Sequence, residues 1–231
     1  MATELNPFNY IRRRGRMTKS QDRGYAVLDQ FRMDASAINQ LGRPIGLEIG
    51  FGMGQGLLEW AEACRDWHLV GIELYQPGLG AAAMGLERAG FTHVGLVEEP
   101  AQALCAALDV DLLQEVRVFF PDPWPKKRHA KRRLIQPDFV QELGRVIAPG
   151  GCLKLATDWT PYAEWMREVM SGAADFVCEL DAIRSAEDAN VPADSGRSQT
   201  KFERRGANLG HDTHDLIYRL EGKNSPTTES K

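Results

Sequence analysis

Residues 45–56 read IGLEIGFGMGQG, a short apolar run that is followed at once by closely spaced glycines. An apolar run of this length is typical of a buried strand, and the glycines allow a sharp turn that a ligand can approach closely. A helical pattern begins at Gly56. The stretch therefore predicts a strand, a tight turn and a helix N-terminus with free N–H groups.

From Pro44 onward the chain alternates short apolar runs with helical patterns. The predicted strands are 45–49, 68–73, 93–97, 116–120, 152–157, 176–180 and 215–220. The predicted helices are 56–63, 77–89, 101–108, 137–147 and 162–170. A long polar loop, 184–199, separates the last two strands. Alternation of this kind implies an α/β fold with a mostly parallel sheet flanked by helices.

The composition is ordinary for a globular protein of 231 residues, with 43% apolar and 26% charged residues. It suits a basic N-terminal extension (1–43), one large domain (44–221) and a disordered tail (222–231). The four cysteines form no C-x-x-C pair and the histidines are spread out, so we expect neither a disulfide framework nor a metal site. No signal peptide or bilayer-spanning apolar stretch is visible, which predicts a cytoplasmic protein without a membrane partner. A monomer and a homodimer are both compatible with the sequence.

The formal net charge of −4 argues mildly against a nucleic-acid partner, but the distribution of charge matters more than its sum. Residues 126–133 read KKRHAKRR, with six cations and no carboxylate. Further basic clusters lie at 12–19 and 197–205. A charge run is often only a solvated surface, and for 12–19 the two interpretations are evenly balanced.

Two carboxylates accompany the glycine turn. Glu73 ends the second predicted strand, where a carboxylate can accept hydrogen bonds from the ribose hydroxyls of an adenosine. Glu48 stands just before the glycines, and their G-x-G-x-G spacing differs from the dinucleotide pattern G-x-G-x-x-G. Because a carboxylate there would repel a pyrophosphate, it suits a cationic ligand. The pattern favours a nucleoside-cofactor site over a plain structural turn.

The fourth predicted strand leads into FPDPWPKKRH, residues 120–129. Prolines on both sides of Asp122 and Trp124 restrict the backbone, so both side chains are presented rigidly. The carboxyl ends of strands in such a sheet open onto the ligand crevice. Trp124 suits either core packing or a platform for a base.

Glu48, the glycine loop and Glu73 together resemble the class I S-adenosylmethionine-dependent methyltransferases. That resemblance implies a Rossmann-like, mostly parallel seven-stranded sheet flanked by helices, with the last strand antiparallel. It also implies a third acid near the adenine, where this chain has Glu98-Glu99-Pro100 and Glu99 is favoured. The cofactor would be S-adenosyl-L-methionine, held by Glu48, Gly50, Gly52, Glu73, Glu99 and Asp122.

A narrower resemblance, to the bacterial tRNA (guanine-N7-)-methyltransferase family, rests on several separated segments. They are RGRMT at 14–18, EIGFGMG at 48–54, DPWPKKRHAKRR at 122–133, TDW at 157–159 with Tyr162, and TKFE at 200–203. The family usually has Asp-Ala where this chain has Glu99-Pro100. The resemblance implies methyl transfer to N7 of a guanine in the variable loop of tRNA.

The same resemblance assigns roles to individual residues. Asp122 would be the catalytic acid, and it would also contact the cofactor. The substrate would be contacted by Lys126, Asp158, Thr200, Lys201, Phe202 and Glu203. The RNA would be bound by Arg128, His129, Lys131, Arg132 and Arg133.

Other functions stay open at this point. A methyltransferase acting on another RNA or on a small molecule would share the cofactor half, although a small molecule does not require the basic run 126–133. A non-catalytic RNA-binding homologue is also compatible with the basic residues. A nicotinamide oxidoreductase is disfavoured by Glu48 and the glycine spacing.

Overall fold

The computed structural model describes residues 18–42, 44–188, 203 and 206–222. Seven strands form one sheet: β1 (Ile45–Ile49), β2 (His68–Ile72), β3 (Val94–Val97), β4 (Leu113–Phe119), β5 (Ile147–Thr157), β6 (Phe176–Arg184) and β7 (Thr213–Leu220). The helices are α1 (Lys19–Val27), α2 (Ala35–Asn39), α3 (Gln55–Ala63), α4 (Gln76–Ala89), α5 (Ala101–Ala107), α6 (Pro137–Val146) and α7 (Thr160–Ser171). The predicted alternation of strands and helices is confirmed.

Four strands are longer than predicted. β4 starts at Leu113 rather than at residue 116, and it ends at Phe119. β5 starts at Ile147, since the strand runs through Pro149-Gly150, a pair that reads locally as a turn. β6 continues to Arg184. It is an edge strand, so most of its side chains are exposed or half-buried and the sequence shows little apolar alternation. β7 starts at Thr213, where it pairs with the last residue of β6.

The strand order is β3-β2-β1-β4-β5-β7-β6. β1 to β5 pair in parallel, whereas β7 is antiparallel to both β5 and β6. The predicted fold, with an antiparallel last strand, is therefore confirmed. The order reverses between β1 and β4, and in open α/β sheets a ligand crevice lies outside the carboxyl ends of the strands at this position.

Apolar side chains pack on both faces of the sheet. One face carries Ile45, Leu47 and Ile49 of β1, which pack in a core cluster with residues of α5, α6 and α7. The other face carries Leu69 of β2 in a cluster with residues of α3 and α4. Alternation along β1 turns Glu48 toward the second face.

The described part of the N-terminal extension packs directly on the sheet and its helices. Leu28 and Ile38 are fully buried. A Cβ built at Gly24 of α1 would lie 1.8 Å from the carbonyl oxygen of Gly80 in α4, so the two helix backbones are in close contact. Residues 18–42 thus contribute to the core, although the domain limits 1–43, 44–221 and 222–231 stay predictions.

Candidate cofactor and RNA site

The turn after β1 depends on glycine. Gly50 and Gly54 have φ of 76° and 82°, a left-handed conformation that other residues rarely adopt. A Cβ at Gly54 would also lie 2.7 Å from the Cβ of Ala82, so α4 packs closely against the turn. A Cβ at Gly50, by contrast, would meet none of the described atoms within 4 Å. The turn therefore borders open space at the switch point of the sheet.

Glu73 fixes this turn from the neighbouring strand. Its carboxylate accepts hydrogen bonds from the backbone N–H of Gly52 at 2.9 Å, of Leu74 at 2.8 Å and of Tyr75 at 3.0 Å. Two of these bonds go to Oε1 and one to Oε2. A carboxylate offers about four acceptor positions, so Oε2 keeps capacity for a ribose hydroxyl.

Glu48 is a buried acid with incomplete compensation. Its side chain is only 6% exposed, and its Oε2 is buried without a hydrogen-bond partner among the described residues. Burial raises the pKa of Glu48 to about 7, the Arg117 cation opposes that rise, and the Glu59 and Glu73 carboxylates add to it. A buried, unpaired carboxyl group next to a glycine turn fits the positive charges of S-adenosylmethionine.

Arg117 is the cation that lies beside Glu48 on the neighbouring strand, since the two residues are register partners in β4 and β1. Its guanidinium lies 3.6 Å from the ring centroid of Trp60 and its Nε lies 2.5 Å from Glu115 Oε1. Glu115 also pairs with Lys154 Nζ at 3.0 Å. Local sequence patterns gave no sign of Arg117, because its role follows from strand pairing.

The structure distinguishes the two adjacent acids after β3. Glu98 accepts hydrogen bonds from Tyr25, Arg32 and Gln76. Burial would raise the pKa of Glu98, but these hydrogen bonds outweigh it and hold the pKa below its usual value. Glu99 is half-buried, and its pKa is raised by burial and by Asp34. Because Glu98 already serves a structural network, Glu99 stays the predicted contact for the adenine.

The segment after β4 is held in an unusual backbone conformation. Phe120 and Trp124 have φ of 51° and 45°, although neither is glycine. The half-buried Trp124 ring meets the His129 ring edge-on, with 5.7 Å between the ring centroids. The Arg132 guanidinium lies 5.0 Å from the centroid of the Trp124 ring. Asp122 is exposed in this segment, which follows β4, the neighbour of β1 in the sheet. Trp124 therefore supports the basic residues rather than filling the core.

The basic run forms a short 3-10 helix, Lys127–Arg132, with differing exposure. The exposed members are Lys126, Lys127, Arg128 and Lys131, and the half-buried members are His129 and Arg132. Desolvation, Arg132 and Arg128 lower the pKa of His129. The four exposed side chains are accessible to solvent, and their contact with phosphates stays a prediction.

Arg133 differs from its neighbours because it is buried, with 8% exposure. Its Nε donates to the carbonyl oxygen of Pro123 at 3.0 Å, and its guanidinium lies 5.1 Å from the ring centroid of Tyr162 and 5.7 Å from that of Trp165. This residue therefore holds the segment around Asp122 in place. The prediction of RNA contact is kept for Arg128, His129, Lys131 and Arg132.

The predicted substrate residues of the later segments are only partly described. Asp158 follows β5, at the same edge of the sheet, and its Oδ2 lies 3.8 Å from His211 Nδ1. A Cβ at Gly206 would lie 2.7 Å from that Oδ2. Glu203 is 1% exposed and forms an ion pair with Arg184, which sequence patterns did not reveal. Thr200, Lys201 and Phe202 lie outside the described residues, as do Arg14 to Met17 and most of the third basic cluster.

Within the described ranges, no three His, Cys, Asp or Glu residues are grouped so as to hold a metal ion. None of the helices in those ranges is long and apolar enough to cross a bilayer.

Several solved structures with the same fold are methyltransferases. An antibiotic-related methyltransferase matches with a TM-score of 0.57 at 14% identity, covering 88% of this chain and 95% of that protein. A 16S rRNA (adenine(1408)-N(1))-methyltransferase from Catenulisporales acidiphilia, solved with its cosubstrate, matches with a TM-score of 0.55 at 16% identity, over 91% of this chain and 96% of that one. At these identities the likeness shows the fold, which is that of the class I S-adenosylmethionine-dependent methyltransferases.

The sequence comparisons are narrower. A family model described as "Putative methyltransferase" matches residues 42–216. The tRNA (guanine-N(7)-)-methyltransferase of Halorhodospira halophila is 41% identical, covering 91% of this chain and 94% of the relative, and that of Idiomarina loihiensis is 39% identical, covering 91% and 88%. The chain belongs to the tRNA (guanine-N(7)-)-methyltransferase family.

Proposed function

We propose that this chain transfers the methyl group of S-adenosylmethionine to N7 of a guanine in tRNA. The observation that carries the proposal is the meeting of two features at one switch point. Glu48 and the glycine turn end β1, and Asp122 with the basic 3-10 helix follows β4, its direct neighbour in the sheet. A methyl-donor site and a phosphate-binding surface would thereby be adjacent.

The cofactor half follows from the buried acids. Glu48 would face the positive charge of the cofactor. Glu73 would accept hydrogen bonds from the ribose hydroxyls, and Glu99 would lie near the adenine. The bound cofactor supplies an electrophilic methyl group on a sulfonium. Gly50 and Gly52 allow the ligand to approach the backbone closely, since no Cβ projects from either position.

The substrate half has little acid–base work to do. Guanine N7 carries a lone pair and no proton, so its attack on the methyl carbon needs no general base. The bond between N7 and the methyl carbon forms as the carbon–sulfur bond breaks. The electron pair of the broken carbon–sulfur bond goes to sulfur. The protein therefore contributes position and electrostatics. Asp122 would accept a hydrogen bond from the guanine edge, and Lys126 would donate to O6 beside N7.

Burial changes the expectation for one substrate residue. Glu203 is inaccessible in its ion pair with Arg184, so we propose that it anchors the segment that carries Thr200, Lys201 and Phe202. Asp158 would contact the base from the end of β5. Further parts of the proposal are a target in the variable loop and a cytoplasmic location.

The test is methyl transfer from labelled S-adenosylmethionine to unmodified tRNA transcripts, with the product mapped by cleavage at N7-methylguanine. We expect label at a single guanine of the variable loop. Asp122→Ala should abolish transfer while tRNA affinity changes little, and Asp66→Ala, at an exposed carboxylate between α3 and β2, is the matched control. Label on a free nucleoside or another metabolite, with none on tRNA, would overturn the proposal in favour of a small-molecule methyltransferase.

A further inference from the structure

Four polar side chains tie the N-terminal extension to the carboxyl end of β3. Tyr25 Oη donates to Glu98 Oε2 at 2.8 Å, and Arg32 Nη1 donates to the same oxygen at 3.2 Å. Gln76 Nε2 donates to Glu98 Oε1 at 3.2 Å and lies 3.3 Å from Tyr25 Oη. We call Tyr25, Arg32, Gln76 and Glu98 the Glu98 network.

The network lies between the two turns that carry the adenosine-binding acids. Gln76 is the first residue of α4 and directly follows the turn in which Leu74 and Tyr75 donate to Glu73. Glu98 is the residue before Glu99. A hydrogen bond from Gln76 to Glu98 therefore fixes the separation of these two turns.

The extension residues of the network are themselves held by backbone contacts. Leu96 N donates to the carbonyl oxygen of Phe31 at 2.7 Å, and Met33 N donates to that of Leu96 at 3.0 Å, which adds a short parallel bridge to β3. On the other side of Tyr25, the close contact of Gly24 with Gly80 sets the distance between α1 and α4. Tyr25 and Arg32 thus reach Glu98 from fixed positions.

We propose that Tyr25 and Arg32 are positioning residues for the adenosine end of the cofactor, acting through Glu98 and Gln76 on Glu73 and Glu99. The inference rests on the proposed cofactor and adds the N-terminal extension to its site. Neither residue needs to contact the cofactor. Their effect is to hold both acids in place before binding, so that less conformational freedom is lost when the ligand arrives.

The test uses the full chain with Tyr25→Phe, which removes one hydroxyl, and Arg32→Gln, which removes one cation. Titration calorimetry gives the Kd for S-adenosylhomocysteine, and steady-state assays give KM for the methyl donor. We expect Kd and KM to rise roughly twofold to thirtyfold, the range for residues that act through a network. The kcat at saturating donor and the Kd for tRNA should change less than twofold. Arg32→Lys, which keeps a cation, should recover part of the affinity.

A second pair of variants tests the docking of α1 without touching the network. Gly24→Ala pushes α1 away from Gly80 and should weaken cofactor binding in the same way. Gly42→Ala is the matched control, because a Cβ there would meet only His68 Nε2 at 4.0 Å among the described atoms.

Three results would overturn the inference: unchanged Kd in Tyr25→Phe and Arg32→Gln, or a fall in kcat at constant KM, or equal effects of Gly24→Ala and Gly42→Ala. A wild-type chain that binds no S-adenosylhomocysteine would instead refute the proposed cofactor.

Discussion

Replacing Glu48 with glutamine should change how the free energy of unfolding depends on pH in the cofactor-free protein. The pKa of Glu48 is raised from 4.5 to about 7 in the folded chain, because burial disfavours its charged form. Its folded form therefore holds a proton that the unfolded chain has lost. The contribution of Glu48 to wild-type stability is therefore fully present below pH 4.5 and is lost as the pH rises through about 7.

The size of the effect follows from the same two pKa values. Their difference corresponds to about 3 kcal/mol, of which about 2 to 3 kcal/mol develops between pH 5 and pH 8. Glutamine has a similar shape and cannot ionise, so Glu48→Gln should gain that amount relative to wild type over this interval. All other titrating groups are shared by the two proteins and cancel in the comparison.

Urea unfolding at pH 5 and pH 8, followed by tryptophan fluorescence, measures the change. Glu87→Gln is the control, because it removes an exposed carboxylate of α4 by the same substitution. Titration calorimetry in buffers of different ionisation enthalpy gives a second readout. Near pH 6, binding of the cationic methyl donor to wild type should release protons, and binding to Glu48→Gln should not. Parallel pH profiles of wild type and Glu48→Gln would refute the reasoning.

Two further predictions concern the basic run and the buried ion pair. Arg132→Ala should weaken tRNA binding in filter assays and flatten its salt dependence, with the melting temperature unchanged. Arg133→Ala should instead lower the melting temperature in calorimetry, because Arg133 is buried against Tyr162. Equal effects of the two variants in both assays would contradict this difference. Arg184→Met should lower the free energy of unfolding in urea titrations by about 3 kcal/mol, because it removes the ion pair of the buried Glu203 carboxylate. Adding Glu203→Gln should restore part of that loss. If Arg184→Met alone leaves the free energy of unfolding unchanged, the buried ion pair is refuted.

Local patterns were sufficient where a mostly apolar run marks a strand that is buried on both faces. The run before Gly50 became β1 with the predicted limits, because all five of its residues are buried in the sheet. The limits of β5 and β6 were missed. Pro149-Gly150 looks like a turn in sequence, and β6 lies at an edge where apolar alternation is not required.

The candidate site divides in the same way. The sequence alone determined the glycine turn, the acids Glu48 and Glu73 and the segment around Asp122, because each is a short motif placed at the end of a strand. Only the tertiary structure decided that Arg117 faces Glu48 and that Arg133 is buried. It also decided that Tyr25 reaches Glu98. These contacts join residues that lie far apart along the chain, and strand pairing and helix packing, rather than local spacing, bring them together.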